Sequence, residues 1–151
     1  MRTSIVTLSS CCRLYRRSVN SLRDGGKINI EQAFLNKDLI NDIITVTSKA
    51  AISCYDFIGK NQKKNADKAA TDSMRNEINK LSINGEVVIG EGELDKAPML
   101  YIGEKLGLGG NLNLDIAVDP VEGTNFVAKN LPGALSVISI AEKGNLFNAP
   151  E

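Results

Sequence analysis

The sequence predicts an α/β chain, with helices first and strands after them. Three observations carry that prediction. Between residues 30 and 81, apolar side chains recur every three or four positions, the spacing of a helix face. From Gly85 onward, short apolar runs of strand length replace that spacing. Two of these runs end in glycine-containing acidic turns, Gly90-Glu91-Gly92-Glu93-Leu94-Asp95 and Asp119-Pro120-Val121-Glu122-Gly123-Thr124.

Taken in order, the first helix lies within residues 30–58. Leu35, Leu39, Ile43, Val46, Ala50, Cys54 and Phe57 line one face, and Gly59 ends it. Cys54 on that face belongs to the core. After the polar stretch Lys60 to Asn65, a second helix is marked by Ala66, Ala70, Met74, Ile78 and Leu81. Asp67 is expected in its first turn, where the helix dipole favours a carboxylate. Glu86 to Ile89 is a short strand. Pro98 suits the first turn of a further helix running to about Leu106, with Gly107 beyond it. Leu112 to Val118 is the next strand, and Pro120 is expected to stop it. Ala134 to Ala141 reads as a buried strand, Glu142 to Asn145 as a tight turn, and Leu146-Phe147 as the start of a partner strand. Lys129 and Lys143 are surface charges. The sequence stops where that sheet still lacks a neighbour, an unusual place for a domain to end.

Composition narrows the chemistry. A length of 151 residues suits one domain, and 42% apolar with 24% charged residues is ordinary for a globular chain and too apolar for disorder. There is no histidine. A Ser-His-Asp triad, a Cys-His pair and a His-ligated zinc site are therefore excluded within this chain. Cys11, Cys12 and Cys54 show no framework spacing and read as reduced, structural thiols. No apolar run approaches the roughly 20 residues of a membrane helix, so no membrane partner is expected.

The zero net charge conceals an asymmetry. Residues 1–23 contain five arginines and no acid, so all 18 acidic groups lie in the rest of the chain. Such a leader has the composition of an organellar transit peptide, or of a poorly ordered basic tail. Ile5, Leu8, Cys12, Tyr15 and Val19 are spaced to make it amphipathic as a helix. Residues 1–26 are thus set apart from a body over 27–151. The body is expected in the cytoplasm, or in a mitochondrion or other organelle if the leader is an address. A basic arm on an acidic body offers no extended basic patch, so no nucleic-acid partner is expected.

The acidic turns are the candidate site. In open α/β sheets ligands bind outside the carboxyl ends of strands, so Glu91 and Glu93 from one turn and Asp119 and Glu122 from the other can face one crevice. Asp67 adds a third source of negative charge. Converging carboxylates repel unless a cation lies between them, and an all-oxygen donor set selects Mg²⁺ or Mn²⁺ over zinc. Pro120 would let Asp119 and Glu122 curl towards one ion. The N–H groups of Gly123 and Thr124 could meet a phosphate oxygen, and the Thr124 hydroxyl could orient a water for phosphoryl transfer. Each motif alone has a plainer reading: D-P-x-E-G-T as a turn capping a helix, GEGE as a solvated acidic loop. The functional case rests on their combination with Asp67.

Over residues 65–150 the segments NADKAATDSMR, GEVVIGEGELDKAPMLYIGEKLG, LDIAVDPVEGTNFVAKN and EKGNLFNAP resemble the class II fructose-1,6-bisphosphatases, the GlpX type. The D-P-x-E-G-T element is also similar to the signature of the wider lithium-sensitive, metal-dependent sugar and inositol phosphatases. The resemblance implies a layered αβαβα sandwich and Mg²⁺- or Mn²⁺-dependent hydrolysis of the 1-phosphate of fructose 1,6-bisphosphate. It implies metal ligands at Asp67, Glu91, Asp119 and Glu122. Substrate contacts are implied at Glu122, Gly123 and Thr124, and catalytic roles at Asp67 and Thr124, the latter helping to activate the attacking water. Glu93 and Asp95 are acidic neighbours rather than ligands. A small sugar phosphate is the implied partner, with homo-oligomerisation at full length. Members of that family continue well past Glu151, so the chain is expected to be the N-terminal portion of such an enzyme. A related sugar-bisphosphate or inositol-phosphate phosphatase, or an inactive metal-binding fragment, are the alternatives.

Overall fold

The computed structural model describes residues 37–91 and 99–146. The basic leader, Leu35, Glu93, Asp95, Pro98 and Phe147 lie outside the described residues.

Helix α1 spans Lys37–Ser53 and buries Leu39, Ile43, Val46 and Ala50. A short 3₁₀ turn, Tyr55–Phe57, follows it, and Gly59 lies beyond. Cys54 is buried as expected, and burial pushes its thiol pKa up. Helix α2 spans Lys63–Ile78 and buries Ala66, Ala70, Met74 and Ile78 completely. Alanines at 50, 66 and 70 keep both helix surfaces thin where α1 and α2 pack together.

The second helix starts earlier than the sequence predicts, which moves Asp67 out of its first turn. The reason is local hydrogen bonding in the polar stretch. The Gln62 carbonyl accepts the Ala66 N–H at 3.1 Å, and the Gln62 side-chain oxygen accepts Asn65 Nδ2 at 3.0 Å. Those bonds begin the helix at Lys63 rather than extend a loop. Lys63 and Lys64 therefore form the first turn, with Asp67 one turn further on.

The sheet has the order β2-β1-β3-β4, from β1 (Asn84–Ile89), β2 (Lys105–Leu106), β3 (Asn113–Glu122) and β4 (Leu135–Glu142). β1 and β3 are parallel, and the outer pairs are antiparallel. Val87, Leu114, Ile116, Ile138 and Ile140 form the core beneath α1 and α2. Glu86, Asp115, Ala117, Asp119, Val137 and Ser139 occupy alternate or facing register positions and so share the opposite face. The α/β class is as predicted, with one helical layer on one sheet layer among the described residues.

Two elements depart from expectation. No helix runs up to Leu106. Val87 N–H donates to the Glu104 carbonyl at 3.0 Å, Gly103 N–H to the Val87 carbonyl at 2.7 Å and Glu91 N–H to the Leu100 carbonyl at 2.9 Å. The backbone of 100–106 is thus committed to the edge of β1, which a helix could not satisfy. Nor does Pro120 stop β3, which continues to Glu122. Asp119 pairs with Val137 and Glu122 with Leu135, so β3 carries one extra residue there, a β-bulge. Proline is tolerated at a bulge because its missing N–H leaves no ladder bond unmade. Beyond β3, Gly123 leads into a short helix α3, Thr124–Ala128.

The turn after β4 forms as predicted. Asn145 N–H returns to the Glu142 carbonyl at 3.0 Å. It is locked from below by buried Asp115, whose Oδ2 accepts the N–H groups of Gly144 (2.6 Å), Asn145 (3.1 Å) and Leu146 (3.3 Å).

Candidate metal centre

The parallel arrangement of β1 and β3 puts their carboxyl ends side by side, and each ends in a departure from regular register. Glu91 follows β1, while Asp119 and Glu122 flank the bulge of β3. In a regular strand, residues three apart point to opposite faces. The extra residue restores the parity, so Asp119 and Glu122 come to the same side and their carboxyls meet. The expected turn at Pro120 is thus replaced by a bulge in a continuing strand, and it is the bulge that brings Asp119 and Glu122 together.

Among the described residues, one cleft of about 350 Å³ is lined by Asp67, Glu91, Asp119, Glu122, Gly123 and Thr124, while Glu93 lies outside them. Gly123 adopts φ +82°, and a Cβ there would lie 2.8 Å from the Phe126 ring, so only glycine fits between Glu122 and Thr124 without strain. Gly90 plays the matching part before Glu91, where a Cβ would lie 2.2 Å from the Leu100 carbonyl oxygen. Lys63, Lys64, Met99 and Val121 complete the lining. Sequence reasoning missed the two lysines. Their signal was available, since on a helix they stand three and four positions from Asp67 and share its face. A second cleft, of about 390 Å³, lies at the far end of α2 among Asp38, Asp42, Glu77 and Lys80, and holds none of the nominated residues.

The electrostatics of the first cleft are those of crowded anions. Burial, then the charges of Asp67 and Asp119, push Glu91 up to about 7. Burial, then the adjoining Glu122 carboxylate, raise Asp119 to about 6. Burial alone raises Asp67. Asp119 Oδ1 is buried with no hydrogen-bond partner among the described residues. An unpaired buried acceptor amid like charges suits a hard cation, whose arrival would satisfy the oxygen and relieve the repulsion.

The donors are not closed around one point. Among the described residues, no three His, Cys, Asp or Glu side chains are set so as to hold a metal ion by themselves. The close contacts come in pairs, Glu91 with Asp119 and Asp119 with Glu122. Paired carboxylates leave coordination positions for water and phosphate oxygens, the usual habit of Mg²⁺.

With that geometry, the comparisons with known proteins are specific. The family described as bacterial fructose-1,6-bisphosphatase, glpX-encoded, matches residues 37–151. The chain belongs to this family. The relatives of this fructose-1,6-bisphosphatase family member include a D-fructose 1,6-bisphosphatase class 2/sedoheptulose 1,7-bisphosphatase of Prochlorococcus marinus (strain AS9601), 47% identical over 78% of this chain and 35% of its own length. A protein of the same description from Synechococcus sp. (strain CC9605) is 45% identical over the same shares. The chain thus spans about a third of the length of the curated relatives it matches. A solved extragenic suppressor from Pyrococcus furiosus superposes with a TM-score of 0.48 at 18% identity, over 71% of this chain and 41% of that one.

Proposed function

We propose that this chain carries the cation- and phosphate-binding part of a class II fructose-1,6-bisphosphatase. The activity is hydrolysis of the 1-phosphate of fructose 1,6-bisphosphate to fructose 6-phosphate and phosphate. The names of the relatives extend the substrate class to sedoheptulose 1,7-bisphosphate, a second bisphosphorylated ketose. The observation that carries the reading is the convergence of four carboxylates and Thr124 on one cleft, with Asp119 Oδ1 unpaired.

Asp67, Glu91, Asp119 and Glu122 would hold Mg²⁺ or Mn²⁺. Bound there, such a cation would offset the negative charge of the phosphoryl group and polarise it. Lys63 and Lys64 bring positive charge to the same cleft, where the phosphate needs it. Thr124 orients the attacking water through its hydroxyl. Asp67 takes the proton from that water as the oxygen–phosphorus bond forms, and the sugar oxygen, leaving as its ester bond breaks, takes a proton from solvent water to become the hydroxyl. Gly123 keeps the backbone between Glu122 and Thr124 bare, so the phosphoryl oxygens can approach closely.

Calorimetric titration with Mn²⁺ tests the site. The parent chain is expected to bind and the Asp119→Asn variant to lose binding; equal affinity in both would refute the assignment. Phosphate release from fructose 1,6-bisphosphate, by this chain and by a version extended to the length of its relatives, tests the activity. A second reading, a metal-binding unit without turnover of its own, rests on the donors being paired rather than closed. Activity confined to the extended version would favour it. We place the enzyme in the cytoplasm, with the arginine-rich residues 1–23 as an alternative organellar address that a reporter fusion decides. Homo-oligomerisation at full length is checked by light scattering.

A further inference from the structure

Glu91 is the cleft carboxylate with the least support from its own strand. β1 ends at Ile89, and the Glu91 backbone is held by the N–H bond to the Leu100 carbonyl. The placement of Glu91 therefore depends on what fixes residues 99–104. Residues 103–106 are tied to β1 through the Val87 bonds to Gly103 and Glu104, and the side that carries Met99 and Leu100 is anchored from α2, the helix that also carries Asp67. Arg75 donates from Nε to Glu104 Oε1 at 2.6 Å and from Nη2 to Glu104 Oε2 at 3.1 Å, a two-pronged pair. The same Nη2 reaches the Met99 carbonyl at 2.6 Å, and Tyr101 N–H closes on Glu104 Oε2 at 3.3 Å. Glu104 is only 8% exposed, and Arg75 covers it while remaining partly exposed itself. Arg75 also lies 3.8 Å from Asp72 on its own helix. Asp67 and Arg75 are two turns apart on α2, so one rigid helix sets both a cleft carboxylate and the anchor of the opposing wall.

We propose that Arg75 and Glu104 are positioning residues that fix Glu91 at the distance from Asp67 and Asp119 that cation binding requires, an assignment that rests on the cation reading above. Neither residue is among those lining the cleft. Each acts through the Met99–Leu100 backbone. Supporting interactions of this kind change metal affinity by roughly 10- to 100-fold when removed.

The test uses the whole chain and two readouts. The first is exchange of the Glu91 amide hydrogen without metal, followed by NMR against the Ile116 amide in the central strand β3 as a control for global opening. The second is Mn²⁺ affinity by calorimetry. Arg75→Lys keeps the charge and loses the fork. The double variant Arg75→Met with Glu104→Met removes both charges together, so no buried ion is left unpaired and the fold is retained. Both variants are expected to speed Glu91 exchange at least about 10-fold with Ile116 unchanged, and to weaken Mn²⁺ binding by roughly 10-fold or more. Glu91 exchange and Mn²⁺ affinity both equal to the parent's, in a variant with normal Ile116 protection, would overturn the proposal. Failure of the parent chain to bind Mn²⁺ would instead overturn the cation reading, and the exchange result would still judge the anchor.

Discussion

Replacing Asp119 by asparagine should stabilise the metal-free chain at alkaline pH while removing its affinity for a cation. A carboxyl whose pKa is raised on folding keeps its proton longer in the folded chain than in the unfolded one. Stability therefore falls as pH rises from the ordinary value of 3.8 to the raised value of about 6, and the penalty is complete above that window. A rise of about two units corresponds to ~3 kcal/mol at ~1.36 kcal/mol per unit. Asp119 is half-buried and lies against Glu122 and Glu91, so solvent screening and the neighbouring carboxyls reduce this by about half, to ~1–2 kcal/mol. Asparagine has the same shape, carries no charge, and can donate its amide to Glu91 or Glu122. Urea unfolding with a chelator at pH 5 and pH 8 measures the effect. The variant should gain ~1–2 kcal/mol over the parent at pH 8, a rise in melting temperature of roughly 2–8 °C, and less at pH 5. Excess Mn²⁺ should then stabilise the parent, by mass action on the folded state, and leave the variant unmoved. If the variant lost stability equally at both pH values, the picture of repelling carboxylates awaiting a cation would be wrong.

Further substitutions probe the frame around that site. Gly90→Ala places a methyl group against the Leu100 carbonyl, and a loss of ~2 kcal/mol or more in urea unfolding is expected, with Mn²⁺ affinity falling alongside. Asp115→Ala removes the acceptor of three N–H groups in the turn after β4; a loss of ~2–3 kcal/mol is expected, with Mn²⁺ affinity per folded molecule unchanged. Thr124→Ala should leave folding and Mn²⁺ binding intact and lower kcat for phosphate release in a catalytically competent extended chain, whereas Thr124→Ser should retain most of it.

Much of the frame is legible before any fold is known. Leu39, Ile43, Val46, Ala50 and Cys54, then Ala66, Ala70, Met74 and Ile78, announce two helix faces by spacing alone, and all nine are buried where expected. β4 and its turn are equally local. The segment up to Leu106 is the contrary case. Its composition suits a helix, and its partners on β1 are too distant in sequence for any local pattern to reveal.

The absence of histidine and the two acidic turns determine, from sequence alone, that any cation here meets oxygen donors. What only the tertiary structure decides is how those donors are aimed. Asp119 and Glu122 share a side because a bulge adds one residue to β3 opposite β4. Lys63 and Lys64 enter the cleft because α2 begins inside the polar stretch that precedes the helix the sequence predicts. Glu91 is held through Arg75 and Glu104, which lie 29 residues apart. The type of donor is a property of each residue, whereas its direction depends on hydrogen bonds between strands and helices that meet only when the chain is folded.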